Sequence, residues 1–290
     1  MKILIAGSHG MLGTDLVRTM QPGNDIRGID LAQVDITRQE QCLAAAAQYL
    51  PDIIINAAAF TRVDDCETNP GLAFLVNGDG AGNLARSAET SGAVLVHFST
   101  DYVFDGLKTD AYLEEDVPNP QTIYGKSKLA GEDQVRRYCS NHLILRTSWL
   151  FGQKGENFIR TIIKAARQGI ELRVVNDQRG SPTYSQDLAG HTRILIEAGC
   201  RGTYHLTNAG SCTWFELAMR AMEWAGIGGI PVAPVSTSEF PRPAPRPANS
   251  VLANSRLKRE GFPLMRPWQE AAREYVEEYL KGNPEFGAKK

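Results

Sequence analysis

Cysteine is sparse: Cys42, Cys66, Cys139, Cys200 and Cys212 are scattered through 290 residues and odd in number. That spacing offers neither a close thiolate metal set nor a disulfide framework, so a reducing cytoplasmic setting is expected. An excess of one charge is missing too. The formal net charge is -2 with no long basic tract, which argues against nucleic acid or an anionic membrane as partner. Long hydrophobic runs are also absent. MKILIAGSHG gives way to glycine too soon for a signal peptide or membrane span. No internal repeat stands out. The 42% hydrophobic and 22% charged residues suit a globular chain, long enough for one large domain or two ordinary ones.

Short apolar runs recur at 2–6 (KILIA), 27–30 (RGID), 53–59 (IIINAAA), 93–100 (AVLVHFST) and 142–148 (HLILRTS). Between them lie helical patterns: DLVRTM, residues 37–50 behind a capping-box-like Thr37 and Glu40, residues 69–92, and SKLAGEDQVRRYC. This alternation predicts an α/β fold, a Rossmann-type doubly wound parallel sheet, with a smaller, partly interleaved C-terminal substrate domain. Residues 1–150 form the expected dinucleotide-binding domain, with return segments near 171–198; 151–170 and 199–290 supply the substrate side. There NFIRTIIKAARQG, SQDLAGHTRILIEAG, TWFELAMRAMEWAG and WQEAAREYVEEYL read as helices, and ELRVV as a strand. EFPRPAPRPANS is extended because proline fixes φ and removes donors; a substrate-side loop is favoured over an SH3-type ligand. NPEFGAKK is expected to fray.

Gly7, Gly10 and Gly13 form GxxGxxG directly after the first strand. Glycines there allow a tight turn and let backbone amides approach a pyrophosphate at a helix N-terminus. Asp30, 23 residues after Gly7, can accept hydrogen bonds from an adenosine ribose. Its charge repels a 2′-phosphate and leans toward NAD, while Arg27 keeps NADP open. His9 reads as a turn residue acting through its backbone. Asp35 and Ile36 either border adenine or form a polar loop and a core position. The small residues of NAAAFT, 56–61, either admit a cofactor or pack closely on a helix.

Tyr124 and Lys128 are four residues apart, hence one turn apart on one helical face. A free phenol titrates near 10; a neighbouring ammonium would bring its proton transfer nearer neutral pH and could at once bond the nicotinamide ribose hydroxyls, which makes Tyr124 and Lys128 cofactor-side candidates too. The alternative is a packed aromatic beside a solvated lysine. Thr100, at the outlet of VLVHFS, adds a hydroxyl able to orient a carbonyl; Ser99 should point to the opposite face.

GSHGMLG, NAAAFTRVD, STDYVF, YGKSKLAGE, RTSWLFG, DQRGSPTY and the later RP-containing stretch occur in order. With them the chain resembles the extended short-chain dehydrogenase/reductase family and, within it, the dTDP-4-dehydrorhamnose reductases. The resemblance implies reduction of a dTDP-4-keto-6-deoxysugar, dTDP-4-dehydro-beta-L-rhamnose, by NADPH or NADH. It implies cofactor contacts at Gly10, Met11, Leu12, Asp30, Asp35, Ile36, Ala59, Phe60 and Thr61. It further implies substrate contacts at Thr100, Asp101 and Trp149, and a catalytic set of Thr100, Tyr124 and Lys128. Tyr102 stands where related 4,6-dehydratases carry glutamate, which weakens a dehydratase reading. Another ketosugar reductase or epimerase, or a non-catalytic NAD(P)-binding regulatory subunit, stays open. Arg179 and Arg246 are candidate diphosphate ligands, and otherwise surface arginines. Trp214 reads as core. Asp64, Asp65 and Glu67 read as a helix start rather than a metal site; the resemblance admits magnesium and a homodimer, with no metal ligand assigned.

Overall fold

The computed structural model describes residues 1–283; of the expected frayed tail, residues 284–290 lie outside the described residues. Five strands follow one another: β1 (Lys2–Ala6), β2 (Asp25–Ile29), β3 (Ile53–Asn56), β4 (Val94–Thr100) and β5 (His142–Thr147). A sixth, Gly202–His205, completes one all-parallel sheet in the order Gly202–His205, β5, β4, β3, β1, β2. Valine and isoleucine suit these strands because both faces are covered. Alternation sends Ile3, Ile5, Val96 and Leu145 to one core and Leu4, Ile54, Leu95 and Ile144 to the other.

The first core is covered by α1 (Met11–Met20) and α8 (Ser185–Glu197), which supply Leu16, Leu188 and Leu195. The second is covered by α2 (Gln39–Tyr49), α5 (Gly80–Ser91) and α6 (Ile123–Tyr138), through Ala45, Leu84 and Val135. Between β3 and α5 lie α3 (Val63–Thr68), α4 (Pro70–Phe74) and a π-helical turn, Leu75–Asp79. The single helix expected over 69–92 is therefore interrupted. The capping box expected at Thr37 does not form. Arg38 is the N-cap of α2 without a side-chain bond, because the Thr37 hydroxyl donates to Asp35 Oδ1 at 2.7 Å instead.

The second half is built on α7 (Phe158–Arg167), α9 (Trp214–Trp224) and α11 (Trp268–Gly282), packed around Ile159, Tyr184, Leu217, Trp268 and Tyr275. Thr213 and Glu216 cap α9 reciprocally. A short α10 (Ser255–Arg259) precedes α11. Around 171–198 the chain divides differently from the sequence reading. Strand Leu172–Val175 pairs with Val232–Val235, away from the main sheet, while α8 packs on α1. The strand that rejoins the sheet is Gly202–His205, in a stretch expected on the substrate side. The proline-rich segment then crosses back. Arg246 pairs with Asp64 at 2.9 Å, Asn249 Nδ2 donates to the Lys108 carbonyl at 2.8 Å, and the Tyr112 amide donates to Val251 O at 2.8 Å. Among the described residues no helix is long and apolar enough to cross a membrane.

Candidate active site

Gly7 sits at φ +79, and a Cβ on Gly13 would lie 1.9 Å from the Gly7 carbonyl oxygen. Only glycines close this turn. Gly10 caps α1 with no side-chain bond, leaving the first-turn amides to an outside acceptor. Met11 is half-buried, whereas the Leu12 side chain belongs to the core, so only its backbone can serve the loop. At the end of β2, Asp30 accepts from Ser8 Oγ at 2.5 Å and from the His9 amide at 3.2 Å. The His9 ring is 2.9 Å from the same carboxylate, so this histidine acts through its side chain as well as its backbone. Tight glycines, uncapped amides and a terminal carboxylate together fit a dinucleotide.

Further along the cleft, Asp35 accepts from the Thr37 amide and hydroxyl, which hold its carboxyl below the usual range. Ile36 is buried, with its Cδ1 filling the space above Gly80, so it is a core position. Arg27 reaches Gln48 at 3.2 Å, on a cleft of about 760 Å³ shared with Asp35 and Arg38. Ala59, Phe60 and Thr61 follow β3 in a loop fixed by Asn77, a residue the sequence reading overlooked. Its Oδ1 accepts from the Phe60 amide at 2.8 Å; its Nδ2 donates to Phe60 O and to Ser127 Oγ, each at 3.0 Å. Ser127 Oγ in turn donates to the Tyr124 carbonyl at 2.8 Å. The π turn that carries Asn77 thus ties this loop to α6.

Thr122 caps α6 by accepting from the Gly125 amide at 2.9 Å, which sets Tyr124 in the first turn. Gly125 admits the Tyr102 carbonyl, 2.1 Å from where a Cβ would stand. The Tyr124 ring meets Tyr102 edge-on, with centroids 5.6 Å apart. Its phenol is pushed up by burial, and the Thr100 hydroxyl opposes that rise. Thr100 also donates to Asp101 Oδ1 at 2.8 Å. Burial lifts the Asp101 carboxyl to about 6, against the influence of Ser250 and the bond from Thr100. Lys128 is 3% exposed and gives its Nζ to the Phe98 carbonyl at 2.6 Å. Burial lowers its ammonium to about 8. Desolvation governs the Tyr124 phenol here, and the Lys128 ammonium one turn on is engaged by the Phe98 carbonyl.

The family model for the RmlD substrate binding domain matches residues 1–281. This chain belongs to that family. It is 42% identical to the spore coat polysaccharide biosynthesis protein SpsK of Bacillus subtilis, over 96% of this chain and 97% of that protein. It is 38% identical to the dTDP-4-dehydrorhamnose reductase of Escherichia coli K12, covering 96% and 98% of the two chains. The solved dTDP-4-dehydrorhamnose reductase of Bacillus anthracis, in complex with NADP, superposes with a TM-score of 0.93 at 40% identity, over 96% of this chain and 99% of that one.

The remaining candidates of this RmlD-family chain lie around the second half. Trp149, at φ +46, stacks on Trp214 with ring centroids 3.5 Å apart, and Gly180 leaves room for its indole. Trp214 is therefore a packing partner of Trp149 as well as the start of α9. Arg246 is held by Asp64 and by the Ala244 carbonyl at 3.0 Å, and its charge acts on the Tyr102 phenol. Asp64 is thus an ion-pair partner at the start of α3. The Arg179 side chain turns to Ser211 Oγ at 3.1 Å, on a separate cleft with Phe215, Glu216 and Trp268. Its backbone nevertheless pairs with Ser250, the residue whose hydroxyl acts on Asp101. Among the described residues no group of three or more histidine, cysteine or acidic side chains could hold a metal ion.

Proposed function

We propose that this protein reduces the 4-keto group of dTDP-4-dehydro-beta-L-rhamnose with NADPH or NADH, forming dTDP-L-rhamnose. The observation that carries the reading is the Tyr124 phenol in the first turn of α6, acted on by the Thr100 hydroxyl and one turn from a buried Lys128, in an RmlD-family chain. Residues 1–150, with α8 and strand Gly202–His205, would hold the dinucleotide; residues 151–175 and the segments after 205 would hold the sugar nucleotide.

A bound reduced nicotinamide supplies hydride for C4. Gly7, Gly10 and Gly13 let the loop take the pyrophosphate, with Met11 and Leu12 serving through their amides. Asp30 orients the adenosine ribose, Asp35 borders the same end, and the loop at Ala59, Phe60 and Thr61 lines the passage. Tyr124 gives its phenolic proton to the C4 oxygen. Burial keeps that proton on the phenol at neutral pH, the form that reduction consumes. Thr100 aligns the carbonyl with the phenol, and Asp101 beside it contacts the sugar. Lys128 stabilises the phenolate left behind. Trp149 and Arg246 flank the sugar nucleotide from the second half, Arg246 from its ion pair with Asp64. Arg179 acts on that site through its backbone pairing with Ser250 rather than through its guanidinium.

Incubation with the dTDP-4-keto sugar and NADPH, then NADH, followed by stereochemical identification of the product, tests the reading. Formation of dTDP-L-rhamnose is expected. Stoichiometric dinucleotide binding without sugar-dependent oxidation would instead point to a regulatory subunit.

A further inference from the structure

Glu132 is 0% exposed and lies on α6 one turn beyond Lys128. Arg146, on β5 and 2% exposed, grips it with Nε at 2.9 Å and Nη2 at 2.8 Å. Arg136 adds a third bond at 2.6 Å. An apolar pair of similar volume usually serves stability as well as a buried ion pair does. A charged pair on the helix that carries Tyr124 and Lys128 therefore invites a different explanation.

Lys128 supplies it. Its ammonium is buried and donates to the neutral Phe98 carbonyl, and no carboxylate of the described residues forms an ion pair with it. Facing it from β4 is His97, whose ring is neutral: Asn56 Oδ1 accepts from the Ala58 N–H, which turns the Asn56 Nδ2 to donate to His97 Nδ1 at 3.0 Å. From α6 come the uncharged Tyr124 phenol, Arg136 and Glu132; from β5 comes Arg146. Glu132 is the one anion in that set.

We propose that Glu132, clamped by Arg146, is a positioning residue for catalysis: its carboxylate keeps the Lys128 ammonium charged beneath the cleft and thereby sustains proton delivery through Tyr124. This rests on the reductase reading above. Burial draws Lys128 down and the charge of Glu132 opposes that fall. The carboxylate is itself held at about 2, chiefly by Arg146 against desolvation, and so stays ionised throughout the working range. Removing it takes away an anion and leaves two guanidinia uncompensated; both effects lower Lys128 further.

The test uses two readouts on wild type, Glu132→Gln, Arg146→Lys and the double variant Glu132→Gln/Arg146→Met. One is the pH profile of kcat/KM with NADPH and the dTDP-4-keto sugar. The other is titration of Lys128 by 13C NMR in lysine-labelled protein, assigned with Lys128→Arg. In Glu132→Gln both the basic limb and the Lys128 titration should move down by about one pH unit. Arg146→Lys, which keeps the charge, should leave both in place, and the double variant should return them toward wild type. A uniform loss of rate with the limb and titration unmoved would overturn the proposal, as a merely structural role predicts. Should Glu132→Gln fail to fold, Arg136→Ala decides: stripping a cation from Glu132 should raise both readouts, and no movement overturns the idea. Failure of wild type to reduce the sugar would count against the reductase reading alone, because the NMR titration still judges Glu132.

Discussion

At Tyr124 and Lys128 burial favours the neutral form of each group, yet the consequences for turnover differ. The phenol keeps the proton it must give, so Tyr124→Phe should retain NADPH binding within a few-fold while kcat falls about 10²–10⁴-fold, read by stopped-flow and steady-state assays. The ammonium, lowered to about 8, is present below that pH and lost above it. Ketosugar reduction should therefore decline as pH rises from 7.5 to 9.5; a flat profile over that range would contradict the assignment. Asp101 adds a stability effect of defined sign. Its folded value of about 6 lies above the ordinary 3.8, so its contribution is full below about pH 4 and is lost as pH rises through 6. Asp101→Asn should accordingly raise the urea midpoint relative to wild type more at pH 7.5 than at pH 4. The spacing of Tyr124 and Lys128 was legible because it is a helical period. The upward displacement of the phenol was not, since desolvation depends on what the fold lays over it.

The elements that serve the cleft are joined by small polar ties that no periodicity reveals. Asn77 holds the loop at Phe60 to α6 with three hydrogen bonds. Asn77→Ala should cost about 2 kcal/mol in chemical denaturation, through stranded buried partners, and should weaken dinucleotide binding measurably. Restored affinity without restored stability would separate the two effects. Gly13→Ala forces a Cβ against the Gly7 carbonyl, and the expected result is at least tenfold weaker NADPH binding in a fluorescence titration. The strands β1 to β5 were readable as apolar runs between helices, and the glycine loop from its setting. The π turn was not, because apolar positions on either side keep nearly helical spacing through Leu75–Asp79. Nor could the run at 172–175 declare its partner: a buried strand has the same signature in a large sheet or a small one, and here it pairs with Val232–Val235. Thr37 looked like a cap, but Asp35 two residues away takes its hydroxyl first.

Across the whole molecule the two halves are laced together by the segment around residues 244–252, through Arg246 with Asp64 and Asn249 with the 108–110 turn. Both ion-pair partners are only partly exposed, so the contact is better shielded than a surface pair. Asp64→Ala should loosen it and raise KM for the sugar nucleotide several-fold with little change in dinucleotide affinity, measured by paired titrations. Equal losses for both ligands would mean that the clasp supports the whole fold instead. The parallel sheet also has a history written into its order. Its border strand, Gly202–His205, leaves the ribosome only after the helices and short strands that follow β5 have been made. Until then the growing chain carries β5 as an unpaired margin, the kind of surface on which other nascent chains can add. Synthesis that stalls between those two strands would thus leave a nearly finished nucleotide half with one side open to strangers.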